Sequence, residues 1–466
     1  MKHPCSAKFG DGNLESNNGD VEWPFAQAYW DGLIDYERRA ARPEDLKLAR
    51  MRRLLDGLGN PHRFLRTVHV AGTKGKGSCC ALLESVFRSA GWKTGLFVSP
   101  HIQHVTERFV INGRPVAVQD LARAILRVKY AAERFLGEIP TFFEVATAAA
   151  FLCFQSAKVD WVVLETGLGG RLDSTNVCFP TATLITGVGL DHVQILGNTL
   201  EEIAYEKAGI IKPGVPVVSG VMEDGPRAVV RGMAGKQAAP LWELGEQIQV
   251  DFASGISFDP WRETVCSVRT PLARYENIRV SLVGNHQGRN ASLVLGVLDQ
   301  LRLRGLGISE EAVHHGLEKV DWPGRLQTIS RNPWILLDAA HNVPSVRALV
   351  EMLRNWPVRG TRKLLFSVSK DKDVEGILAL LAPLFDEIHL TRYTVGIRAM
   401  AQEEMAGILI QSKQSFDRWK LCKHDTPQMA LGAILPGLAS EDGLCIAGSI
   451  FLLGEVKPVL EQWISA

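Results

Sequence analysis

The chain has 466 residues, 46% hydrophobic and 22% charged, which supplies enough apolar sequence for two or three packed domains and excludes a disordered or fibrous protein. Lys plus Arg total 52 against 51 for Asp plus Glu, so the net charge of +1 gives no electrostatic basis for nucleic-acid or membrane binding, and any anionic ligand must be held locally. The 8 cysteines form no CxxC pair, no run of 18 apolar residues occurs, and the N-terminus lacks an apolar signal core, which together predict a reducing, cytoplasmic setting.

Taken in chain order, residues 1–24 are rich in Gly, Asn, Asp and Ser and read as a flexible extension. "RTVHVAG" then reads as a strand. Residues 78–90 carry Cys79, Leu82, Leu83, Val86 and Ala90 at helical spacing, and "KTGLFVS" reads as the next strand, a βαβ unit with a glycine loop at its first turn. Further strands are expected at residues 160–165, 181–186 and 215–220, each ending where polar motifs begin, and that carboxyl edge is where open α/β sheets hold ligands. A second pattern follows "DWPGR" at 321–325. "WILLDAAHN" is a strand, Asn342 can cap a helix with Pro344 in its first turn, and Val346, Leu349, Val350 and Leu353 form its buried stripe. Strands are also expected at 363–368, 387–391 and 444–449. The fold class is therefore α/β, with a P-loop-type domain over residues 25–320, a smaller Rossmann-like domain over 321–466, and the active site in the cleft between them.

The loop in "HVAGTKGKGSCC" departs from the G-x-x-x-x-G-K-[ST] phosphate loop, because the first glycine would fall at Val70 and Gly77 is inserted between Lys76 and Ser78. Its physics still suits an anion. Gly72, Thr73, Lys74, Gly75 and Gly77 let successive backbone N–H groups converge, the following helix adds its positive end, Lys76 brings a point charge, and Ser78 is placed to meet Mg²⁺. Cys79 and Cys80 read as small residues packing the first helical turn.

Later motifs leave two readings each. In "SPHIQHVTERFVING", Asn112-Gly113 marks a turn, and the segment is a hairpin or a substrate loop. Glu144 in "PTFFEVATAAAF" is a buried carboxylate that needs a cation or donor, or a solvent-facing residue at a helix start. In "LETGLGGRLDSTNV", Glu165 ends a strand where a metal or its water could be met, while Arg171 and Asp173 are substrate groups or an internal ion pair. His192 in "GLDHVQ" is a ligand or a satisfied structural histidine, and Lys207 in "YEKAGI" is a functional amine or a helix lysine paired with Glu202 or Glu206. Asn290 follows "NHQGR" on a helix whose Ala291, Leu293, Val294 and Leu298 read as core. Asp371, Lys372 and Asp373 in "SKDKD" are ligand groups or a solvated turn.

The loop variant G-T-[NK]-G-K-G-S, the S-P-H segment, L-G-G-R-L-D-S-T-N-V, G-L-D-H and D-A-A-H-N together resemble the folylpolyglutamate synthase and dihydrofolate synthase family of the Mur ligase superfamily, over about residues 25 to 460. The resemblance implies an ATP-dependent ligase that joins L-glutamate to a folate or pteroate carboxylate through an acyl phosphate. It implies ATP and Mg²⁺, two ions by family pattern, with Ser78, Glu144, His192 and more weakly Glu165 as metal ligands, and Lys207 carbamylated to add another. Lys76 and Arg325 would meet the phosphates, Asn290 the adenine, Asp338 the ribose and His341 the phosphate region. Ser99, Pro100 and His101 would form the pterin side, with Arg171 and Asp173 nearby and Asp371, Lys372 and Asp373 toward the amino acid. Small molecules are then the partners of a monomer. Departures are Ala339 for glycine, Val343 at the proline position with Pro344 following, and Thr166 in the variable E-x-G slot. Two other functions remain open on these residues: a Mur-type ligase acting on a cell-wall precursor, and a P-loop NTPase switch.

Overall fold

The computed structural model describes residues 19–35, 47–252, 258–395, 398–411 and 419–465. Short apolar runs form β1 (Thr67–Ala71), β2 (Thr94–Phe97), β3 (Phe109–Ile111), β4 (Arg114–Pro115), β5 (Trp161–Glu165), β6 (Ala182–Ile185), β7 (Val217–Ser219) and β8 (Leu241–Glu243). They make one sheet in the order β4-β3-β2-β5-β1-β6-β7-β8, parallel from β2 to β8, with β3 and β4 an antiparallel edge. Every residue of β1, β2, β5 and β6 is buried, because helices cover both faces.

The helices of this half are α1 (Gly19–Asp31), α2 (Leu48–Gly57), α3 (Lys76–Ser89), α4 (Val118–Phe135), α5 (Phe142–Ala157), α6 (Val193–Leu196), α7 (Leu200–Ala208), α8 (Asp224–Lys236), α9 (Asn285–Arg302) and α10 (Glu310–Glu318). Alternate strand residues go to opposite cores: Val163 packs with Leu82, Leu83 and Val294 of α3 and α9, whereas Val162 and Leu164 pack with Leu54, Leu121 and Phe151 of α2, α4 and α5. An antiparallel layer of β9 (Gln249–Phe252), β10 (Thr264–Arg269) and β11 (Arg274–Val280) lies against α9.

The second sheet comprises β12 (Gln327–Arg331), β13 (Trp334–Asp338), β14 (Arg362–Phe366), β15 (Glu387–Thr391), β16 (Lys420–His424) and β17 (Gly443–Ala447), in the order β12-β13-β17-β14-β15-β16 with β12 antiparallel. Helices α11 (Val343–Leu353), α12 (Val374–Leu381) and α13 (Gln402–Gln411) pack on one face with Leu364 and Phe366; α14 (Pro427–Ile434) and α15 (Ile450–Ser465) pack on the other with Leu365 and Ile446. Asn342 caps α11 by accepting from the Ser345 amide, Pro344 lies in the first turn, and the expected stripe of Val346, Leu349, Val350 and Leu353 is buried.

Two differences from expectation stand out. Helix α1 begins at Gly19, inside the stretch assigned to a flexible extension, and is held by Trp30, whose indole stacks on Phe142 and donates to its carbonyl at 3.0 Å; residues 1–18 of that stretch lie outside the described residues. Helix α3 begins at Lys76, two residues before the expected start at residue 78, because Gly75 supplies its N-cap. Seven described cysteines are free, Cys5 lies outside the described residues, and among those described no helix is long and apolar enough to cross a membrane.

Candidate active site

The carboxyl ends of both sheets' parallel strands border one cavity of about 1200 Å³. The glycine loop leaves β1 and is pinned from β6: Thr186 Oγ1 donates to the Lys74 carbonyl at 2.5 Å and Thr73 N to the Gly187 carbonyl at 2.9 Å. Gly75 sits at φ +83°, where a side chain is strained, and a Cβ there would come within 2.5 Å of Asn290 Oδ1. Thr73 to Ser78 line the cavity; Gly72 does not, but its carbonyl accepts from Lys207 Nζ at 3.0 Å.

Lys76 Nζ is 3.8 Å from Glu165 at the end of β5, and Glu165 also accepts from the Ser99 amide at 3.1 Å, so the ends of β1, β2 and β5 share one charged contact. Ser99 and Pro100 belong to the cavity wall, whereas His101 lies outside the lining and accepts from Arg108 Nε at 2.9 Å. Residues 99–113 thus contain the expected hairpin, since β3 and β4 pair across Asn112 and Gly113.

Glu144 is buried and has the cation its burial requires: Arg50 Nε lies 2.8 Å from both of its oxygens, and Oε2 accepts from the Thr141 amide at 2.8 Å in a capping box on α5. The solvent-facing alternative does not hold. Arg50 escaped the sequence reading; its signal is a buried position in the apolar stripe of "LARMRRLLDG".

The expected alternatives for Arg171 and Lys207 are also corrected. Arg171 pairs with Glu206 at 2.7 Å and not with Asp173, whose carboxylate instead accepts from Leu168 N at 2.8 Å and Thr175 N at 2.9 Å. Glu206 is therefore taken, and Glu202 caps α7 through the Asn198 and Thr199 amides, so Lys207 pairs with neither. Burial, and then Lys76, push the Lys207 ammonium down to about 7.

His192 lines the cavity in a left-handed conformation at φ 50°. Beside it stands Asp191, which the sequence reading passed over: its oxygens lie 3.4 Å from Lys74 Nζ and 3.4 Å from Lys372 Nζ. Burial alone would raise its carboxyl, but Lys74, His192 and Lys372 hold it well below the carboxylate range. Lys74 also donates to His341 Nε2 at 3.2 Å, and His341 Nδ1 donates to the Ala339 carbonyl at 2.8 Å. Burial and Lys74 push His341 down to about 3, in keeping with this neutral tautomer. The charge run at 371–373 splits. Lys372 faces the cavity, Asp371 pairs with Arg398 at 3.3 Å, and Asp373 caps α12 by accepting from Gly376 N at 2.9 Å, the two aspartates lying outside the lining.

From the second half, Arg325, Asp338 and His341 reach the cavity. Asp338 accepts from the Leu326 amide at 2.8 Å and the Ala340 amide at 2.7 Å. Ala339 has no positive φ, so the backbone here does not require the absent glycine, and its side chain packs in the core. Asn290 Nδ2 donates to Gln287 Oε1 at 2.9 Å beside the loop.

These groups fit a hard divalent cation. Ser78 lines the cavity at the start of α3, its hydroxyl without a hydrogen-bond partner among the described residues, and Glu165 lines the same cavity. Among the described residues no three His, Cys, Asp or Glu side chains gather as a metal cage. Mg²⁺ is ordinarily held through one or two protein oxygens together with phosphates and water.

Residues 70–298 match the Mur ligase middle domain and residues 324–450 the glutamate ligase domain of Mur ligases. The chain is 36% identical over 420 residues to the dihydrofolate synthase/folylpolyglutamate synthase of Bacillus subtilis (strain 168), covering 89% of this chain and 95% of that protein. E. coli FolC in complex with DHPP and ADP superposes with a TM-score of 0.83 at 26% identity, covering 96% of this chain and 100% of that one. A bifunctional folylpolyglutamate synthase/dihydrofolate synthase from Yersinia pestis, complexed with AMPPNP and Mn ion, gives a TM-score of 0.80 at 25% identity over 96% of this chain and 100% of that one.

Proposed function

The chain belongs to the folylpolyglutamate synthase/dihydrofolate synthase family of Mur ligases, and on that premise we propose that it is an ATP-dependent ligase joining L-glutamate to the carboxylate of a folate or pteroate. One observation carries the proposal. The glycine loop and the groups of the second sheet that suit a nucleotide and an amino acid face one cavity, with Lys74 bonded to His341 and Asp191 to Lys372 across it.

A carboxylate is a poor electrophile, so the acceptor oxygen first attacks the γ-phosphorus of ATP and ADP leaves. The glutamate amine then attacks the acyl carbon, loses a proton, and inorganic phosphate departs with the former carboxylate oxygen. Charge develops on phosphoryl oxygens, and positioned cations stabilise it. In this reading Lys76 and Arg325 meet those oxygens from opposite sides of the cleft. Asn290 meets the adenine, Asp338 the ribose, and His341 the phosphate region. Mg²⁺, in one or two ions, would neutralise phosphate charge when held by Ser78 with Glu144, His192 and Glu165. Glu144 would have to loosen its bond to Arg50 to take part. Lys207, whose ammonium is lowered to about 7 so that about half of it is the neutral amine near pH 7, is suited to add to CO₂ and become a carbamate. Ser99, Pro100 and Asp173 would face the acceptor and Lys372 the glutamate, while His101, Arg171, Asp371 and Asp373 stand behind these walls, outside the lining. The division near residue 320, a monomeric state and a cytoplasmic setting complete the reading. Closing the cleft would exclude water that hydrolyses an acyl phosphate.

The test supplies ATP, Mg²⁺ and glutamate with dihydropteroate and a reduced folate separately, scoring phosphate and amide product. Turnover with at least one acceptor, and little phosphate without acceptor or glutamate, is expected. Equal ATP hydrolysis without acceptor would instead mark an NTPase switch, and product with only a cell-wall precursor would mark another Mur-type ligase.

A further inference from the structure

A polar chain runs from β1 to Asp173 through two residues, His69 and Thr175, that take no part in the chemistry above. Val68 and Val70 pack in the core with α3, and His69 between them faces the other side of the sheet, fully buried at 0% exposure. Central parallel strands ordinarily carry Val, Ile or Leu at such positions. Here His69 Nε2 lies 2.8 Å from Thr175 Oγ1, and Thr175 Oγ1 lies 2.5 Å from Asp173 Oδ1. The direction of the chain follows from its end. An ionised carboxylate only accepts, so the Thr175 hydroxyl donates to Asp173, its oxygen accepts from His69, and Nε2 carries the ring proton. Nδ1 makes no hydrogen bond among the described residues. A core histidine with one nitrogen used and the other buried without a partner is a local conflict that packing alone does not explain, and such conflicts concentrate where function needs them.

The far end of the chain lies at the cavity. Asp173 and Leu168 both line it, and Asp173 Oδ2 accepts from the Leu168 amide at 2.8 Å, closing the turn between them. The outer side of the same loop is tethered separately, by Arg171 on Glu206 at 2.7 Å and by Lys212 Nζ on Asn176 Oδ1 at 2.7 Å. Three residues beyond His69 along the chain, Gly72 opens the phosphate loop. One strand therefore sets the acceptor loop and the phosphate loop relative to each other, and relative placement of two reactants is where a small displacement costs most rate.

We propose that His69 is a positioning residue for acceptor binding, acting through the Thr175 hydroxyl to hold Asp173 and the 168–175 turn in the register that receives the pteroate or folate. This rests on the ligase reading of the cavity. Because the outer tethers do not involve His69, its loss frees the inner turn without releasing the whole loop.

The test compares His69→Leu, His69→Gln and Thr175→Val by steady-state kinetics, with each substrate varied in turn. His69→Leu and Thr175→Val are expected to raise the acceptor KM by about tenfold or more and to leave the KM values of ATP and glutamate within about twofold. The double variant should be no worse than either single one, since both break the same chain. His69→Gln keeps an N–H donor near the Nε2 position and should recover most of the acceptor affinity. Equal changes in all three KM values, a fall in melting temperature alone, or a Gln variant as poor as Leu would overturn the positioning role. Should His69→Leu fail to fold, Thr175→Val keeps the shape and removes only the hydroxyl, so an unaltered acceptor KM there is equally decisive against it. The wild-type protein in the same assay separates the two claims: no glutamate ligation refutes the ligase reading, whereas an active wild type beside an unaltered Thr175→Val refutes the positioning role alone.

Discussion

Lys207 is an ammonium in a place that disfavours ammonium ions, 3% exposed and bonded to a carbonyl rather than a carboxylate. Its pKa falls from 10.5 in the unfolded chain to about 7 in the fold. Between these values the unfolded state binds the extra proton, so stability rises with pH across that window, and below pH 7 the full penalty remains. In buffer free of metal and bicarbonate, Lys207→Met should therefore melt a few degrees higher than the wild type at pH 6, with the gain fading toward pH 10; thermal melts across that range check this. The sequence alone leaves two partners open for this lysine, Glu202 and Glu206. Neither is free: Glu206 is taken by Arg171, 35 positions away, and Glu202 by the amides at the start of its own helix.

At the scale of elements, Thr141 and Glu144 were legible as a T-x-x-E start for α5, and Glu144 as a carboxylate in need of a cation. Its partner was not legible, since Arg50 lies 94 positions away on α2 and only the packed helices bring them together. Arg50→Met leaves the Glu144 charge buried and uncompensated, which should cost about 3–5 kcal/mol in urea unfolding, while Arg50→Met with Glu144→Gln should cost clearly less. The strands divide in the same way. Runs that are buried on both faces, such as β1, β5, β13 and β17, can be read from near-continuous apolar sequence. β11 and β16 alternate apolar residues with exposed Arg, Glu and Lys, so neither the apolar run nor a long periodic segment marks them. α1 was hidden for a related reason: a helix that starts on Gly19 and contains Pro24 follows directly on a glycine- and asparagine-rich stretch, and both residues ordinarily signal a break.

At the scale of the whole molecule, two α/β sheets present their ligand edges to one cavity, and the contacts across it are charged. Asp191 is central to them, touching Lys74 of the phosphate loop and Lys372 of the second sheet. Asp191→Asn removes one negative charge shared by two lysines and should lower kcat/KM for ATP by about tenfold with little change in melting temperature, a loss measured most clearly at low salt, where such contacts are least screened. The glycine loop and Glu165 could be read in the sequence because each sits at a strand end; the meeting of the motifs across the cleft could not, because it depends on how the two sheets face. The central claim is that the acceptor carboxylate is activated by phosphorylation. It is tested most directly by supplying an acceptor labelled with ¹⁸O in that carboxylate, together with ATP, Mg²⁺ and glutamate, and analysing the released phosphate by mass spectrometry. One ¹⁸O atom per phosphate is the predicted result, and phosphate carrying only oxygen from ATP and water would contradict it.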